Sequence, residues 1–580
     1  MVADEIADIG ERDHLFDLAH GPGKGQARTG VEQHRLVSLF EQIHMALKDI
    51  VVQHMPNPPD ARRDLHGMLG VDADEMGKVR IHGDFPCRVR TRGGVGSGLG
   101  QSPEDCRLYP VRPGASDDNA MKAPRQMTAQ EMTLPEIAVQ EISESLPYWI
   151  GIDLGTSGCR AVAVDARGVT LADARVALPP PERPAPGWSQ QDPAIWWAAV
   201  CRVLRALAAQ LPGRRSAGLA VDGTSASLLL AALDGTPLGP ALMYNDRRAI
   251  TAAAVIDRAA PAQSPARGPT SSLAKLIHLA AEHTGPYDLL ALHQADWVSG
   301  RLAGRCGRSD WNNALKLGFD ATGLLWPEWV RTCLPTRVRL PKVVAPGHPI
   351  GTLDPALADA LGLSSATVIC AGTTDSTAAV IAAGVGQPGD AVSCLGSTLV
   401  LKLLSPQPID SARHGVYSHR FGDSWLVGGA SNSGGAVLLQ HFSLDEIRTL
   451  SAQLDTTRTS GLDYYPLPGP GERFPRYDPT LAPRLAPRPA DRGRFLHGLL
   501  EGMAAIEADG YRLLRELGAP PPRRVISIGG GAANPAWTAL RERALGVPVV
   551  MAEHQEAAYG SACLALRPWP GTSASCPDRT

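Results

Sequence analysis

The sequence lacks an excess of charge of either sign. Its 580 residues include 56 Lys and Arg against 59 Asp and Glu, which leaves a formal net charge of −3. Binding along a nucleic-acid backbone usually requires a positive excess, so we expect no nucleic-acid partner. The hydrophobic share of 44% is close to that of soluble globular proteins and indicates a sizeable buried core.

The sequence also lacks membrane, secretion and metal-cage signals. No window has the roughly 18 uninterrupted apolar residues of a transmembrane helix, and the first 13 residues carry five acidic ones where a signal peptide is basic and then apolar. We therefore expect a cytoplasmic protein with no membrane partner. The ten cysteines include no C-x-x-C pair and no Cys/His cluster, which argues against a disulfide framework and a zinc site.

The first 147 residues differ in composition from the rest. They hold eight of the eleven methionines and seven of the sixteen histidines. Residues 31–54 have the apolar spacing of an amphipathic helix, and a Gly-, Pro- and Arg-rich stretch follows. One interpretation is a regulatory or targeting domain. We favour a poorly ordered extension of unknown role, or a start codon called too early with Met121, Met127 or Met132 as better starts.

From residue 147 onward, short apolar runs alternate with longer amphipathic stretches. YWIGIDL and RAVAVDA precede PAIWWAAVCRVLRALAAQL and SAGLAVDG, and the same rhythm returns in RVISIGGG, PAWTALRERAL and VPVVMA. Strands that alternate with helices of this length predict an α/β fold in which helices pack on a sheet.

Two glycine-rich hairpins carry the strongest chemical signal. In the first, Asp153 ends an apolar strand and Gly-Thr-Ser-Gly follows at 155–158. Small residues there let backbone N–H groups and hydroxyls approach a phosphate, and the carboxylate can hold a cation or its water shell. A second loop of this type lies about 240 residues later, at 393–398. The two hairpins predict a duplicated fold that closes on one nucleotide from both sides.

Between the hairpins, a strand ends in AGTT and Asp375 opens an alanine-rich helix. A carboxylate there can accept the proton of a substrate hydroxyl, which is general-base catalysis typically worth about 10² to 10⁴ in rate. The alternative is an N-cap, which would stabilise the helix by about 1 kcal/mol. Near the end of the chain, three glycines at 529–531 leave room for a flat base or sugar, and Asn534 can bond to it; an ordinary strand-to-helix turn is the alternative there.

These segments, in this order, resemble the FGGY carbohydrate kinases of the actin, hexokinase and heat-shock-protein ATPase superfamily. Further family-like sequence occurs in VDGTSASLLLAALDGTPLGPALMYNDRRA, SSLAKLIHLA, HQADWVSGRLAG, SDWNNALKLGFD, GERFP and EAAYGSACLAL. The resemblance covers about Tyr148 to Leu566. It implies two duplicated actin/hexokinase-like (ribonuclease H-like) α/β domains with a cleft between them, 148–385 on the sugar and phosphate side and 386–567 on the nucleotide side, and it leaves 568–580 as a tail.

The resemblance also implies roles for single residues. Asp375 matches the general base, and Asp153 matches the aspartate that binds the substrate phosphates and Mg²⁺. The residues at the family's sugar-contact positions are Thr224, Ser225, Tyr244 and Asp246. The residues predicted to bind ATP are Gly155, Thr156, Ser157, Arg160, Gly396, Ser397, Thr398, Gly530, Gly531 and Asn534. Asp222 has no predicted catalytic role because a structural role explains it equally well.

The implied reaction is transfer of the γ-phosphoryl group of ATP to a terminal hydroxyl of a ketopentose. Glycerol kinases carry Asn-Gln-Arg-Glu and bacterial xylulose kinases carry Met-His-Gly where this chain has DGTS at 222–225. With HQADW and SDWNNALKLG, the DGTS form looks most similar to the D-ribulose kinases of plants and cyanobacteria. We therefore expect D-ribulose as the substrate, in a pocket with few inward charged side chains. Alternatives are xylulose or another pentose or polyol and, from another class, a non-kinase ATPase or a sugar sensor.

Overall fold

The computed structural model describes residues 146–283 and 285–567, together with the backbone of three earlier strands. These strands are β1 (Gly70–Ala73), β2 (Val79–His82) and β3 (Met132–Thr133), which form one antiparallel sheet. The predicted helix at 31–54, the alternative starts at Met121 and Met127 and the tail 568–580 lie outside the described residues. The chain divides into two units, Met1–Gln140 and Glu141–Thr580, and every described helix lies in the second.

The strands of the second unit are β4 (Pro147–Leu154), β5 (Gly158–Val164), β6 (Thr170–Ala177), β7 (Gln190–Gln191), β8 (Arg215–Gly223), β9 (Leu228–Ala231), β10 (Ala241–Leu242), β11 (Leu289–His293), β12 (Arg308–Asp310), β13 (Val338–Arg339), β14 (Lys342–Val344), β15 (Pro349–Thr352), β16 (Val368–Thr374), β17 (Asp390–Leu395), β18 (Leu399–Ser405), β19 (Tyr417–Phe421), β20 (Ser424–Ser431), β21 (Arg524–Ile528) and β22 (Val549–Met551). Its helices are α1 (Pro193–Ala208), α2 (Ile250–Ala259), α3 (Ser272–Glu282), α4 (Gln294–Leu302), α5 (Glu328–Thr332), α6 (Pro355–Leu361), α7 (Asp375–Ala382), α8 (Gly435–Leu439), α9 (Leu444–Ser451), α10 (Arg492–Glu516), α11 (Pro535–Leu545) and α12 (Ala557–Leu566). Across the described ranges, no helix combines the length and apolar character that a membrane span requires.

Two six-stranded sheets share a five-stranded topology, in which β6-β5-β4-β8-β16 corresponds to β20-β18-β17-β21-β22, and each has one further edge strand. Their strand orders are β6-β5-β4-β8-β16-β15 and β19-β20-β18-β17-β21-β22. In each sheet a central strand pairs antiparallel with the next strand of the chain and parallel with a strand that follows a helix. These pairs are β4 with β5 and β8 in the first sheet, and β17 with β18 and β21 in the second. The predicted duplication of an α/β domain is confirmed.

A smaller layer extends the first domain. The sheet β13-β11-β9-β10-β7 carries the segments between β8 and β16 in which sugar contacts were predicted. Helices α2 and α3 pack on it around a separate apolar core that includes Leu228, Ile256 and Leu276. This layer therefore holds the loops after β8 and β10 beside the end of the main sheet.

The side chains of β4 divide between the two faces of the first sheet. Ile150 and Ile152 pack on the α1 face with Trp196 in the main core of this domain. Gly151 and Asp153 point to the opposite face, because successive strand residues alternate. The same face is covered by α12, which comes from the end of the described chain.

Helix α12 approaches β4 and α7 at backbone distance. A Cβ atom on Gly151 would lie 1.9 Å from the carbonyl oxygen of Ala558, and one on Gly560 would lie 1.9 Å from the carbonyl oxygen of Ala378. Glycine at both positions removes the atoms that would prevent this packing. The last described helix can therefore cover the sheet of the first domain and touch the helix that begins at Asp375.

We expect Gly560→Ala to lower the free energy of unfolding by about 1–3 kcal/mol, the usual cost of overpacking a core. The added Cβ meets a backbone carbonyl, which cannot rotate away as a flexible side chain can. Urea unfolding measures the change. Gly386→Ala is the control because its Cβ meets nothing within 4 Å. Equal stability of the two variants would contradict the close packing of α12 on α7.

Candidate active site

Three carboxyl groups gather where the parallel strands of the first sheet end. Asp153 of β4 is in register with Asp222 of β8, and Asp222 is in register with Thr373 of β16. Asp375 follows β16 directly as the first residue of α7. Ligands of open α/β sheets bind outside the carboxyl ends of parallel strands. The sheet thus brings two of the predicted residues, Asp153 and Asp375, to one edge and adds Asp222.

Asp375 does not cap its helix. Thr374 is the N-cap residue, and the Oδ1 atom of Asp375 accepts only the N–H of Ser376, at 2.6 Å. The N-cap alternative is therefore wrong. Burial raises the pKa of Asp375 to about 6, and the negative charge of Asp153 acts in the same direction. A carboxyl group tuned in this way is ionised at neutral pH and still accepts a proton readily, as a general base must.

Asp222 is a member of the cluster that our sequence interpretation left without a role. It is fully buried, and its Oδ2 atom accepts a hydrogen bond from the Ser561 hydroxyl of α12 at 2.7 Å. Burial raises its pKa well above the ordinary value, with the charge of Asp153 adding to the effect. Burial also raises the pKa of Asp153, and the charge of Arg160 opposes the rise. The available signal was that Asp222, like Asp153, ends an apolar strand before a glycine.

The first glycine-rich hairpin leaves its hydroxyls accessible. The N–H of Gly155 donates to the carbonyl of Gly158 at 3.0 Å, and the carbonyl of Ser157 accepts from the N–H of Leu178 at 2.9 Å. The side chain of Ser157 is exposed, and that of Thr156 is partly exposed. The backbone is thus held firmly while the polar side chains of the turn stay free.

A cavity of about 510 Å³ lies beside Asp153 and is lined by both domains. Arg160 lines it from the first domain, and Gly529 and Gly530 line it from the turn after β21. A Cβ atom on Gly530 would meet nothing within 4 Å, so this wall is open. The cavity joins three of the residues that the sequence assigned to phosphates and nucleotide, namely Asp153, Arg160 and Gly530.

Two further residues of this cavity were missed by the sequence interpretation. Gln555 accepts the N–H of Gly529 through its Oε1 atom at 3.0 Å, and Glu556 forms an ion pair with Arg160. Both precede α12 directly and line the cavity. The only signal was the family-like segment EAAYGSACLAL, which Gln555 precedes and Glu556 begins.

The second hairpin lies outside the lining of that cavity. Gly396 and Ser397 connect β17 to β18, and their carbonyls accept the N–H groups of Gly435 at 2.9 Å and Ala436 at 3.1 Å. The side chain of Ser397 is exposed, and that of Thr398 is partly exposed. The turn is therefore tied to the start of α8, with its hydroxyls accessible as in the first hairpin.

Asn534 and Gly531 contact helix α11 in the structure, and their predicted contacts with the nucleotide base stay predictions. The Oδ1 atom of Asn534 accepts the N–H of Trp537 at 3.1 Å and caps α11, while its Nδ2 atom donates to Ser451 at 2.9 Å. A Cβ atom on Gly531 would lie 2.4 Å from the ring of Trp537. Both residues thus serve the packing of α11, and neither lines the 510 Å³ cavity.

A second cavity, of about 590 Å³, contains two of the four predicted sugar contacts. Ser225 and Tyr244 line it, and Trp188 contributes a second aromatic ring. Lys316 lines it from the first domain and Arg473 from the second. This cavity shares no lining residue with the 510 Å³ cavity, so the described unit offers separate places for two ligands.

The other two predicted sugar contacts, Thr224 and Asp246, lie behind the wall of this cavity. The hydroxyl of Thr224 donates to the Oε1 atom of Gln294 at 2.8 Å and is 2.5 Å from that of Ser227. The carboxylate of Asp246 is fully buried, accepts hydrogen bonds from the guanidinium group and the backbone N–H of Arg248, and accepts the N–H of Ser189 at 2.6 Å. Their polar atoms have protein partners and neither residue lines the cavity, so their direct contact with the sugar stays a prediction.

A buried lysine connects the two loops that line the sugar cavity. The Nζ atom of Lys275 in α3 donates to the carbonyl of Ala226 at 2.8 Å and to that of Tyr244 at 3.3 Å. Burial lowers the pKa of Lys275 to about 7. Ala226 has a positive φ of 72°, a strained backbone for alanine. The ammonium group therefore secures a turn that does not form easily on its own.

The residues around Asp153 suit a nucleotide-bound cation. Among residues 146–283 and 285–567, no three His, Cys, Asp or Glu side chains form a metal cage. A magnesium ion bound with a nucleotide needs only one or two carboxylates, since phosphate oxygens and water complete its shell. The partly exposed Asp153, beside a cavity with an open glycine wall, fits that donor set.

Comparisons with known proteins agree with this architecture. Residues 148–382 match the N-terminal domain and residues 391–569 the C-terminal domain of the FGGY family of carbohydrate kinases. Xylulose kinase of Escherichia coli is 26% identical over 406 residues, which cover 67% of this chain and 83% of that protein. Glycerol kinase of Gloeobacter violaceus is 28% identical over 428 residues, which cover 69% and 84%.

The solved structures show the same fold. Xylulose kinase from Rhodospirillum rubrum has a TM-score of 0.63 at 22% identity, covering 72% of this chain and 89% of that one. Together the two domain matches extend over most of the chain, with the carboxylate cluster in the first domain and the glycine turn in the second. The chain therefore belongs to the FGGY family of carbohydrate kinases.

Proposed function

We propose that this kinase transfers the γ-phosphoryl group of ATP to a terminal hydroxyl of a ketopentose. The observation that carries the proposal is the place of Asp375 directly after β16, at the sheet edge that also carries Asp153. Its carboxyl group experiences the charge of Asp153, which lines the 510 Å³ cavity, and that of Lys316, which lines the 590 Å³ cavity. In the proposed complex, the sugar hydroxyl approaches this base from the 590 Å³ cavity and the phosphoryl donor from the 510 Å³ cavity.

In the proposed mechanism, the carboxylate of Asp375 accepts the proton of the sugar hydroxyl as its oxygen attacks the γ-phosphorus. The bond from the γ-phosphorus to the bridging oxygen breaks, and ADP leaves. Backbone N–H groups of the hairpins around Thr156 and Ser397 stabilise the charge that develops on the phosphoryl oxygens. Closure of the cleft excludes water, which would otherwise accept the phosphoryl group.

Asp153 is the residue that would hold the Mg²⁺ ion accompanying ATP, and such an ion neutralises charge on the phosphates. Arg160 and Gly530 would contact ATP in the 510 Å³ cavity, and Arg160 then exchanges Glu556 for a phosphate oxygen. That exchange is inexpensive because both side chains are about half exposed and exposed ion pairs contribute little stability.

D-ribulose is the first candidate among the ketopentoses. The support is the DGTS run at 222–225, which places the small hydroxyl of Ser225 in the cavity where other branches of the family carry Met-His-Gly or Asn-Gln-Arg-Glu. Tyr244 offers a second hydroxyl and an aromatic surface. Xylulose is the second candidate, because relatives such as the Escherichia coli protein are named xylulose kinase.

A substrate comparison tests the proposal. ADP release is measured with D-ribulose, D-xylulose, L-ribulose, ribitol and glycerol under one set of conditions and without sugar. We expect D-ribulose to have the highest kcat/KM, since a site that hydrogen-bonds a hydroxyl rejects analogues in which it is missing or misdirected. A higher kcat/KM for glycerol or D-xylulose than for D-ribulose would overturn the choice of sugar. ADP release independent of every sugar would overturn ketopentose phosphorylation altogether.

A further inference from the structure

The 590 Å³ cavity carries charge of one sign. Five basic side chains line it, and no aspartate or glutamate does. These are Arg183, Arg247, Arg267, Lys316 and Arg473. The finding corrects the expectation of a sugar pocket with few charged side chains, because that expectation considered only the DGTS and MYNDRR segments.

Three of these cations form no close ion pair with a carboxylate among the described residues. Arg267 pairs with Asp257 at 3.1 Å, and the Nε atom of Arg473 donates to the amide oxygen of Asn432 at 2.6 Å. Within the described part of the second unit, no carboxylate oxygen lies within 4.0 Å of the charged nitrogens of Arg183, Arg247 or Lys316.

We infer that this cavity binds sugars that carry a negative charge more tightly than neutral sugars of the same length. The inference rests on the proposed function, which identifies the cavity as the sugar site. Basic groups that line one cavity repel each other until an anion enters. A cleft lined by charge of one sign raises the local concentration of oppositely charged ligands by roughly 10-fold to 10³-fold.

Two sugars could supply the charge. The charge of Lys316 acts on Asp375, so in this proposal the phosphate ester of the product would lie beside Lys316. Arg183 and Arg247 line the same cavity as the aromatic rings of Trp188 and Tyr244, which suit the C–H faces of a sugar. A carboxylate at the unreactive end of a sugar acid would meet these two arginines.

Equilibrium binding without nucleotide tests the inference. Isothermal titration calorimetry with D-ribulose, D-ribonate and D-ribulose 5-phosphate gives three dissociation constants. We expect at least one anion to bind roughly tenfold or more tightly than D-ribulose at low ionic strength. The advantage should shrink at high salt, which screens exposed charges. Tighter binding of D-ribonate than of D-ribulose identifies a sugar acid as the ligand. Tighter binding of the phosphate ester alone identifies the product as the ligand.

Charge-removing variants locate the effect. Arg183→Gln and Arg247→Gln should each remove most of the advantage of D-ribonate, and Lys316→Met should remove that of the phosphate ester. Arg202→Gln is the matched control, since Arg202 is exposed on α1 and does not line the cavity. Binding of D-ribulose to each variant shows that the site is still folded.

Two results would overturn the inference. One is equal or weaker binding of both anions relative to D-ribulose, and the other is an anion preference that is the same in the cavity variants and in Arg202→Gln. The sugar-dependent ADP release described above is a separate readout. A kinase without anion preference therefore refutes only this inference, whereas loss of sugar-dependent turnover refutes the proposed function.

Discussion

Asp375→Ala should lower the rate of sugar phosphorylation by about 10²–10⁴-fold, the usual contribution of a general base, and leave ATP affinity nearly unchanged. The reason is that Asp375 stands at the start of α7 outside the lining of the 510 Å³ cavity. Coupled ADP release gives kcat, and titration with ATP gives its dissociation constant. Asp375→Asn is the stricter variant, because the amide keeps the bond with the N–H of Ser376 but cannot accept a proton.

The pH dependence of the native enzyme should agree with this role. The reaction needs the carboxylate form of Asp375, and burial raises the pKa of that group to about 6. The value of kcat/KM should therefore be high at neutral pH and fall tenfold per pH unit below about 6. Near-normal turnover of Asp375→Asn, or an unchanged acid limb in that variant, would contradict the assignment of the base.

Asp246→Ala should destabilise the protein by about 3–5 kcal/mol, because removing one partner of a buried ion pair leaves the other charge uncompensated. The side chains of Asp246 and Arg248 are 0% and 7% exposed, and their charged atoms are 2.8 Å apart. The guanidinium group of Arg248 also stacks 3.9 Å from the ring centre of Trp188, so the KM for the sugar should rise as well. Urea unfolding measures the stability.

The double variant Asp246→Ala/Arg248→Met separates the two roles of Asp246. It removes both charges, so it should recover much of the lost stability. Asp173→Ala is the exposed control, since its pair with Arg175 is 3.9 Å long and more than half exposed, and such pairs contribute about 0–1 kcal/mol. If Asp246→Ala left the stability unchanged and altered the sugar preference, the result would support the direct sugar contact that the sequence suggested.

The duplicated hairpins were predictable because their signal is local. A strand, a polar residue and small residues in a turn are adjacent in the sequence, and the pairing of β4 with β5 needs nothing else. The same holds for Asp375, where the strand end and the alanine-rich helix are continuous. Local sequence therefore indicated the α/β class, the duplication and the edge of the sheet at which Asp153 lies.

The sugar site was only half predictable, because partners far apart in the sequence decide which polar groups are free. The hydroxyl of Thr224 donates a hydrogen bond to Gln294, 70 residues away. The carboxylate of Asp246 accepts the N–H of Ser189, 57 residues away. Motif position alone cannot distinguish Ser225, which faces the cavity, from Thr224, which does not. The charge of the cavity was missed for the same reason, since Arg183, Arg247 and Arg473 come from segments that lie far apart in the sequence.

Because β4 contacts α12, the first domain can finish folding only after the end of the described chain has been synthesised. The face of β4 that carries Gly151 and Asp153 is covered by residues 557–566, about 400 positions later in the chain. During translation, one face of the first sheet therefore stays uncovered until the whole second domain has been synthesised. Asp222 receives its hydrogen bond from Ser561 only when that helix docks. The carboxylate cluster, which includes Asp153 near the end of β4, is thus among the last parts of this unit to be completed. Contacts of such long sequence separation slow folding.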